Sequence, residues 1–337
     1  MAQERLKEIL AFANNKGGVG KTTTVLNVAA ALLAQDKNLR ILCIDLDSQC
    51  SLSSLLGWND KQAKARNTQD AALNKLKEER YKLDRQAASE LKDVADRRLL
   101  TVADALRDAE TMHLPVYKAR EGLFYVPASD TLTDIDPDLH AQMQSKLVLR
   151  ELCQTDLHYM DQLYPDIDPE LSHDEHIEYI EDDFDYVLID CAPALSETVY
   201  NALGVATGLI VPVELSSLSV EGIGKMVNAY MKVKKKLNKD IAMRGLLIGM
   251  ADERSNVSKD TLQYIRDAYG DITFNTVVHL SSKIKESQYV PTDIFTYEGL
   301  PTGRTKAERK EQIAKKTRAY QDFWAFTEEL RKSYKED

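Results

Sequence analysis

The apolar positions of this chain fall into short runs separated by longer stretches of mixed character. Residues 9–13 (ILAFA) are apolar throughout and run straight into a glycine-rich segment. Residues 22–34 are rich in alanine and leucine with no breaker, which predicts a helix. A second apolar run, 40–46, leads into Asp45 and Asp47. Strand, loop, helix and strand in that order make a βαβ unit, whose strands pair in parallel. Similar short runs return at 186–190, 209–213, 245–250 and 276–279, with helix-like stretches between most of them. The alternation predicts an α/β fold, a doubly wound, mainly parallel sheet of about six to eight strands flanked by helices.

Two segments break the alternation. Residues 60–98 show neither strand pattern nor breakers, and Leu73, Leu76, Leu83, Ala87, Leu91 and Val94 recur there at helical spacing with charges between. They predict a helical insertion, either one long amphipathic helix or a hairpin. Its plain role is a surface helix packed on the domain; the sharper one is an arm that binds a partner or extends a dimer. Residues 154–186 hold 12 Asp or Glu and no Lys or Arg, and read as an acidic surface insertion. No long linker and no internal repeat divides the chain, so residues 1–337 are expected to form one domain with these two insertions.

Composition narrows the class. An apolar fraction of 43% over 337 residues is that of a folded protein. The net charge of −10 argues against a nucleic-acid binder only until it is located. Without the acidic stretch the remainder is slightly positive, so a basic face elsewhere stays open. No apolar run approaches the ~20 residues that span a bilayer, and the N-terminus lacks the layout of a signal peptide. The four cysteines, Cys43, Cys50, Cys153 and Cys191, include no CxxC pair, which removes zinc, iron–sulfur and redox sites. A reduced, cytoplasmic protein is expected.

The strongest chemical signal is Lys16-Gly17-Gly18-Val19-Gly20-Lys21-Thr22-Thr23. Phosphate binding needs backbone N–H groups turned inward, and glycine lets the chain curl that tightly. It needs a helix N-terminus aimed at the anion, which the helix from Thr22 supplies. Lys21 suits the β- and γ-phosphates, and the Thr22 hydroxyl suits a magnesium ion. A general P-loop would have glycine at position 15; here Asn15 stands there, followed by a second lysine, Lys16. The loop follows a strand, opens a helix and is followed by Asp-x-Asp at the next strand end, a context that a chance glycine turn lacks.

The runs KGGVGKTTT, IDLDSQ and DYVLIDCAP together resemble the ParA/MinD family of deviant Walker ATPases, and ParA-type DNA-partitioning proteins most closely. The resemblance extends through Phe124–Ala128 and VPVELSSLSVEG to the turns ADERSN and SSKIKES; the two odd segments are additions to it. With the first strand near the start, no helix-turn-helix segment is expected before it. The resemblance implies a slow, partner-stimulated ATPase with ATP and Mg²⁺ as cofactors, and a homodimer that forms on ATP. Lys16 matches the signature lysine that reaches the partner's nucleotide, and Asp47 the aspartate that positions the attacking water. Asp190 matches the Walker B aspartate; Asp45, with Thr22, helps to organise the metal shell. Charge stabilisation dominates phosphoryl transfer, so a lysine supplied across a dimer and a carboxylate near the γ-phosphate suit that chemistry independently.

In the ParA reading the ATP dimer binds DNA non-specifically, works with a ParB-like DNA-binding partner and localises to the nucleoid. Arg254 and Lys283 match positions that carry DNA contacts in the family, and Lys285 and Arg304 are further candidates to join them. His279-Leu280 departs from the Pro-Arg or Pro-Asn that the family often shows before this turn. The five lysines of 232–239 are expected to end a helix, where cations suit the dipole. The alternative is a MinD-like or other family member acting in membrane or polar positioning, or in conjugation. Tyr320, Phe323, Trp324 and Leu330 would form its interfacial face. Asp322, Glu328, Glu329, Glu336 and Asp337 on the same segment would be repelled by anionic lipid. The expectation is therefore a last helix packed on the core and no membrane contact. Cys191 reads as a small buried residue.

Overall fold

The computed structural model describes residues 8–78, 85–96, 98–155, 158–159, 184–216, 219–252 and 254–333. Its strands are β1 (Glu8–Phe12), β2 (Ile41–Leu46), β3 (Pro115–Arg120), β4 (Leu123–Val126), β5 (His158–Tyr159), β6 (Tyr186–Cys191), β7 (Gly208–Glu214), β8 (Ala242–Ala251) and β9 (Thr273–His279). They form one sheet in the order β5-β3-β4-β2-β6-β1-β7-β8-β9. β3 is antiparallel to β4, and the other pairings are parallel.

The helices are α1 (Lys21–Gln35), α2 (Ser51–Leu55), α3 (Trp58–Glu78), α4 (Arg85–Ala95), α5 (Val102–Arg107), α6 (Asp136–His140), α7 (Val148–Leu152), α8 (Glu197–Val205), α9 (Ser219–Lys236), α10 (Asn256–Tyr269), α11 (Ser282–Tyr289), α12 (Ile294–Glu298), α13 (Lys306–Ala314) and α14 (Arg318–Ser333). Every residue of β1, β2, β4 and β6 is buried, as it must be when helices cover both faces of a parallel sheet. Alternate residues feed two cores. Ile9, Ala11, Leu42 and Ile44 pack with α5, α7, α8 and α9 on one face. Leu10, Phe12, Ile41 and Cys43 pack with α1 and α14 on the other.

The apolar runs read from the sequence all lie in strands, and the doubly wound α/β fold is present. The sheet exceeds the expected six to eight strands at one edge, through β3 and β5. β3 hides there because its second half, Lys118–Arg120, is polar and half-buried; β5 has only two residues. Residues 60–98 contain α3 and α4, which pack against each other. α3 is rooted by buried Trp58, Lys61, Ala65 and Ala72, and the Trp58 ring meets Tyr117 edge-on at 5.0 Å. Leu83 and nearly all of 154–186 lie outside the described residues.

α14 packs on the core through Tyr320, Phe323, Phe326 and Leu330, all buried. Two of its acids turn inward. Glu329 accepts from the backbone N–H groups of Asn275 (2.7 Å) and Thr276 (2.9 Å), and Asp322 accepts from that of His279 (2.9 Å). β9 is an edge strand, and these carboxylates occupy donors that a further strand would otherwise take. Among the described residues no helix is long and apolar enough to cross a membrane.

Candidate functional site

The parallel strands β1, β2, β6, β7, β8 and β9 deliver their C-terminal ends to one edge of the sheet, where ligands bind in open α/β folds. The loop after β1 opens there between β6 and β7. Gly18 (φ 73°) and Gly20 (φ 85°) both adopt the left-handed conformation that favours glycine. A Cβ built at either would meet nothing within 4 Å, so the space over the loop is open. Gly20 leads directly into α1, whose first turn has no side-chain cap and keeps N–H groups available for an anion. A cleft of about 630 Å³ lies over this loop. Gly17, Gly18, Gly20, Lys21, Thr22 and Thr23 form one wall; Asp47, Gln49, Ser51 and Leu55 lie after β2, and Pro193, Met250 and Gln288 complete the rim.

Two buried carboxylates stand beneath the cleft, on adjacent strands, with Asp45 paired opposite Asp190 in the register of β2 and β6. Asp45 is satisfied. Its Oδ2 accepts from the Ser53 hydroxyl (2.6 Å) and Ser53 N–H (2.9 Å), and its Oδ1 from Asp47 N–H (3.1 Å). Burial nevertheless pushes its carboxyl up to about 6, against the pull of those donors. Asp190 is fully buried, and neither of its carboxylate oxygens has a hydrogen-bond partner. Burial and then the Asp45 carboxylate push it well above the usual range, while the nearby Thr22 hydroxyl and Lys21 ammonium pull the other way. An uncompensated buried carboxylate costs several kcal/mol unless it is protonated or meets a cation.

Lys21 is buried, and its ammonium donates to the Lys16 carbonyl at 3.1 Å, which closes the loop over its own side chain. Burial lowers its pKa, with Asp190 opposing. Val19 is buried beneath the loop. Asp47 lines the cleft at the turn after β2, and its Oδ1 accepts from Gln49 N–H at 3.0 Å. Thr23 accepts from Gln288 Nε2 at 2.8 Å.

Lys16 points elsewhere. Its ammonium donates to Glu214 Oε2 (2.7 Å) and Ser216 Oγ (2.9 Å) at the end of β7, and it does not line the cleft. Sequence reading thus finds the loop, Asp47 and Asp190 but misses Glu214, Gln288 and Met250. Met250 carries the one clear signal of the three, a non-glycine residue at φ 51° at a strand end, and that signal is visible only in the backbone.

Arg254 follows β8 and Lys283 lies in the first turn of α11, the helix after β9, at the same sheet edge. Arg254 is 87% exposed, and its guanidinium is paired with Asp252 through Nε (3.0 Å) and Nη2 (3.2 Å). Lys283 is paired with Glu286 at 2.5 Å, over the ring of Tyr297. Lys285 and Arg304 are exposed. Of the lysine run 232–239, Lys234, Lys235 and Lys236 fill the last turn of α9.

Comparison with known proteins places this geometry. The model of the CobQ/CobB/MinD/ParA nucleotide binding domain matches residues 10–289. The chain is 27% identical over 291 residues to the chromosome partitioning protein ParA of Myxococcus xanthus, covering 86% of this chain and 81% of that one. It is 25% identical over 291 residues to the sporulation initiation inhibitor protein Soj of Bacillus subtilis, covering 86% and 91%. In fold it is similar to McdA of Cyanothece solved as an ATP complex, with a TM-score of 0.64, 17% identity and 98% of each chain covered. Cobyrinic acid a,c-diamide synthase of Mycobacterium smegmatis, solved with an ATP analog and magnesium, is similar at a TM-score of 0.62 and 21% identity, over 98% of this chain and 96% of that one. With its glycine loop, buried strand-end aspartates and a match across most of its length, the chain belongs to the CobQ/CobB/MinD/ParA nucleotide-binding family.

Proposed function

We propose that this protein is a magnesium-dependent ATPase that dimerises on ATP, binds DNA non-specifically as a dimer, and drives partition of a plasmid, chromosome or mobile element with a ParB-like partner. The observation that carries the nucleotide reading is Asp190, a fully buried carboxylate set beside the Thr22 hydroxyl and the Lys21 ammonium at the foot of a glycine cradle. A divalent cation with phosphate oxygens fits that donor set. Among the described residues no group of three or more His, Cys, Asp or Glu side chains could hold a metal. Magnesium characteristically takes one or two protein oxygens and completes its shell with phosphate and water. Bound there, it neutralises charge on the phosphate oxygens. The matches to ParA and Soj support the partition role.

This chain's residues then divide the work. Loop N–H groups and the α1 terminus hold the phosphates, and Lys21 adds a fixed positive charge. Thr22 and Asp190 would hold the metal, and Asp45 fixes the turn that carries Asp47. Asp47 orients the attacking water. Lys16, released from Glu214, reaches the partner's nucleotide.

The test is phosphate release by the purified chain with Mg²⁺–ATP, alone and with DNA and partner. Slow turnover that EDTA abolishes is expected. No magnesium-dependent release under any of these conditions would overturn the reading.

A further inference from the structure

Among the cleft residues, Gln288 comes from farthest away, 265 positions from the side chain it contacts. Its Nε2 donates to the Thr23 hydroxyl, and a hydroxyl has one hydrogen and two lone pairs. A threonine in a helix commonly turns that hydrogen back onto the carbonyl four residues earlier. Thr24 does so, donating to the Gly20 carbonyl at 2.7 Å. Thr23, one residue before it, instead faces the cleft and meets Gln288. Its oxygen accepts, so its hydrogen remains for another acceptor. Thr23 lines this cleft together with Gly17, Gly18 and Gly20.

We infer that Gln288 is a positioning residue for the nucleotide: its amide holds the Thr23 hydroxyl in the rotamer that donates to a phosphate oxygen. The inference rests on the reading of this cleft as a Mg²⁺–ATP site. Gln288 is anchored for this task. It lies within the turn closed by Thr292 N–H on the Ser287 carbonyl at 3.0 Å. The following helix is tied to α1 through Ile294 N–H and the buried Asn27 Oδ1, at 2.9 Å. The helix that carries Thr23 therefore grips the Gln288 segment at two points.

The test is equilibrium binding of a non-hydrolysable ATP analogue with Mg²⁺ to the full chain. Wild type is compared with Gln288→Met, Thr23→Val and the double variant. Gln288→Met keeps the length and removes the donor, and is expected to weaken binding about 3- to 10-fold, the worth of one oriented hydrogen bond. In the Thr23→Val background the same change should have no further effect, because the hydroxyl it acts on is gone. Gln288→Glu is a second variant of equal size. Its carboxylate accepts the hydroxyl hydrogen and turns it from the phosphate, so it should lose more than Gln288→Met, and most of the excess should vanish with Thr23→Val. Wild-type affinity in Gln288→Met, or equal losses with and without the Thr23 hydroxyl, would overturn the inference. Absence of analogue binding by wild type would instead sink the nucleotide reading on which it rests.

Discussion

Lys16 and Asp47 make opposite demands on the same state. Lys16 is held by Glu214 in a pair whose side chains are 30% and 37% exposed, and such half-solvated pairs contribute about 0–1 kcal/mol. A contact that weak would be exchanged readily for a phosphate on a second copy in the proposed dimer. Lys16→Ala should therefore leave thermal stability within about 1 kcal/mol of wild type and abolish the ATP-dependent dimer. Asp47→Ala removes the carboxylate proposed to orient water and leaves the loop's phosphate contacts in place, so its ATP dimer should persist. Light scattering with ATP distinguishes them, and two monomeric variants would discredit the sandwich arrangement. Glu214→Gln should move the other way and form the dimer at lower ATP concentration, since Lys16 loses its charged partner. The loop residues were legible in the sequence because they are contiguous and each has a stated chemical task. Glu214 and Gln288 were not, because they meet the loop across 198 and 265 residues, distances closed only by the strand order.

Strands and helices were the most readable scale, since a buried parallel strand is an unbroken apolar run. What the pattern hid were elements whose partners, rather than composition, make them regular. β3 pairs with β4 although half of it is polar. The sequence predicts for α14 an apolar face packed on the core and acids that anionic lipid would repel. The apolar face is buried, but Glu329 and Asp322 serve β9 instead of solvent. Glu329 takes four donors, the N–H and amide of Asn275 and the N–H and hydroxyl of Thr276. Glu329→Ala should cost about 1–3 kcal/mol, the penalty for donors left without their acceptor. Urea unfolding measures it, and the loss should appear in the midpoint with the slope unchanged. A variant as stable as wild type would mean that water replaces the carboxylate at that edge.

Across the whole molecule, the nucleotide cleft and the basic residues Arg254, Lys283 and Lys285 share one sheet edge, so on the proposed partition reading DNA binding would belong to the ATP dimer rather than to the single chain. Each copy offers Arg254, Lys283 and Lys285, and two of these are already partnered, by Asp252 and Glu286. Hydrogen bonds to those acids raise the pKa of both cations, so they stay charged, but phosphate must compete with a carboxylate for each. Doubling the cations on one face gives roughly six phosphate contacts, enough for affinity to fall about 10³-fold between 50 and 200 mM salt. Binding to non-specific duplex should therefore require ATP and weaken steeply with salt. Arg254→Glu with Lys283→Glu should abolish it and leave ATP-driven dimerisation intact, because neither residue lines the cleft. Asp252→Asn and Glu286→Gln should strengthen it, because they remove the competing acids and keep the cations. A gel-shift series with ATP, ADP and no nucleotide, run for wild type and each of these variants, measures each claim. Equal binding in the three nucleotide states, or none in any, would favour a role in polar positioning over DNA partition.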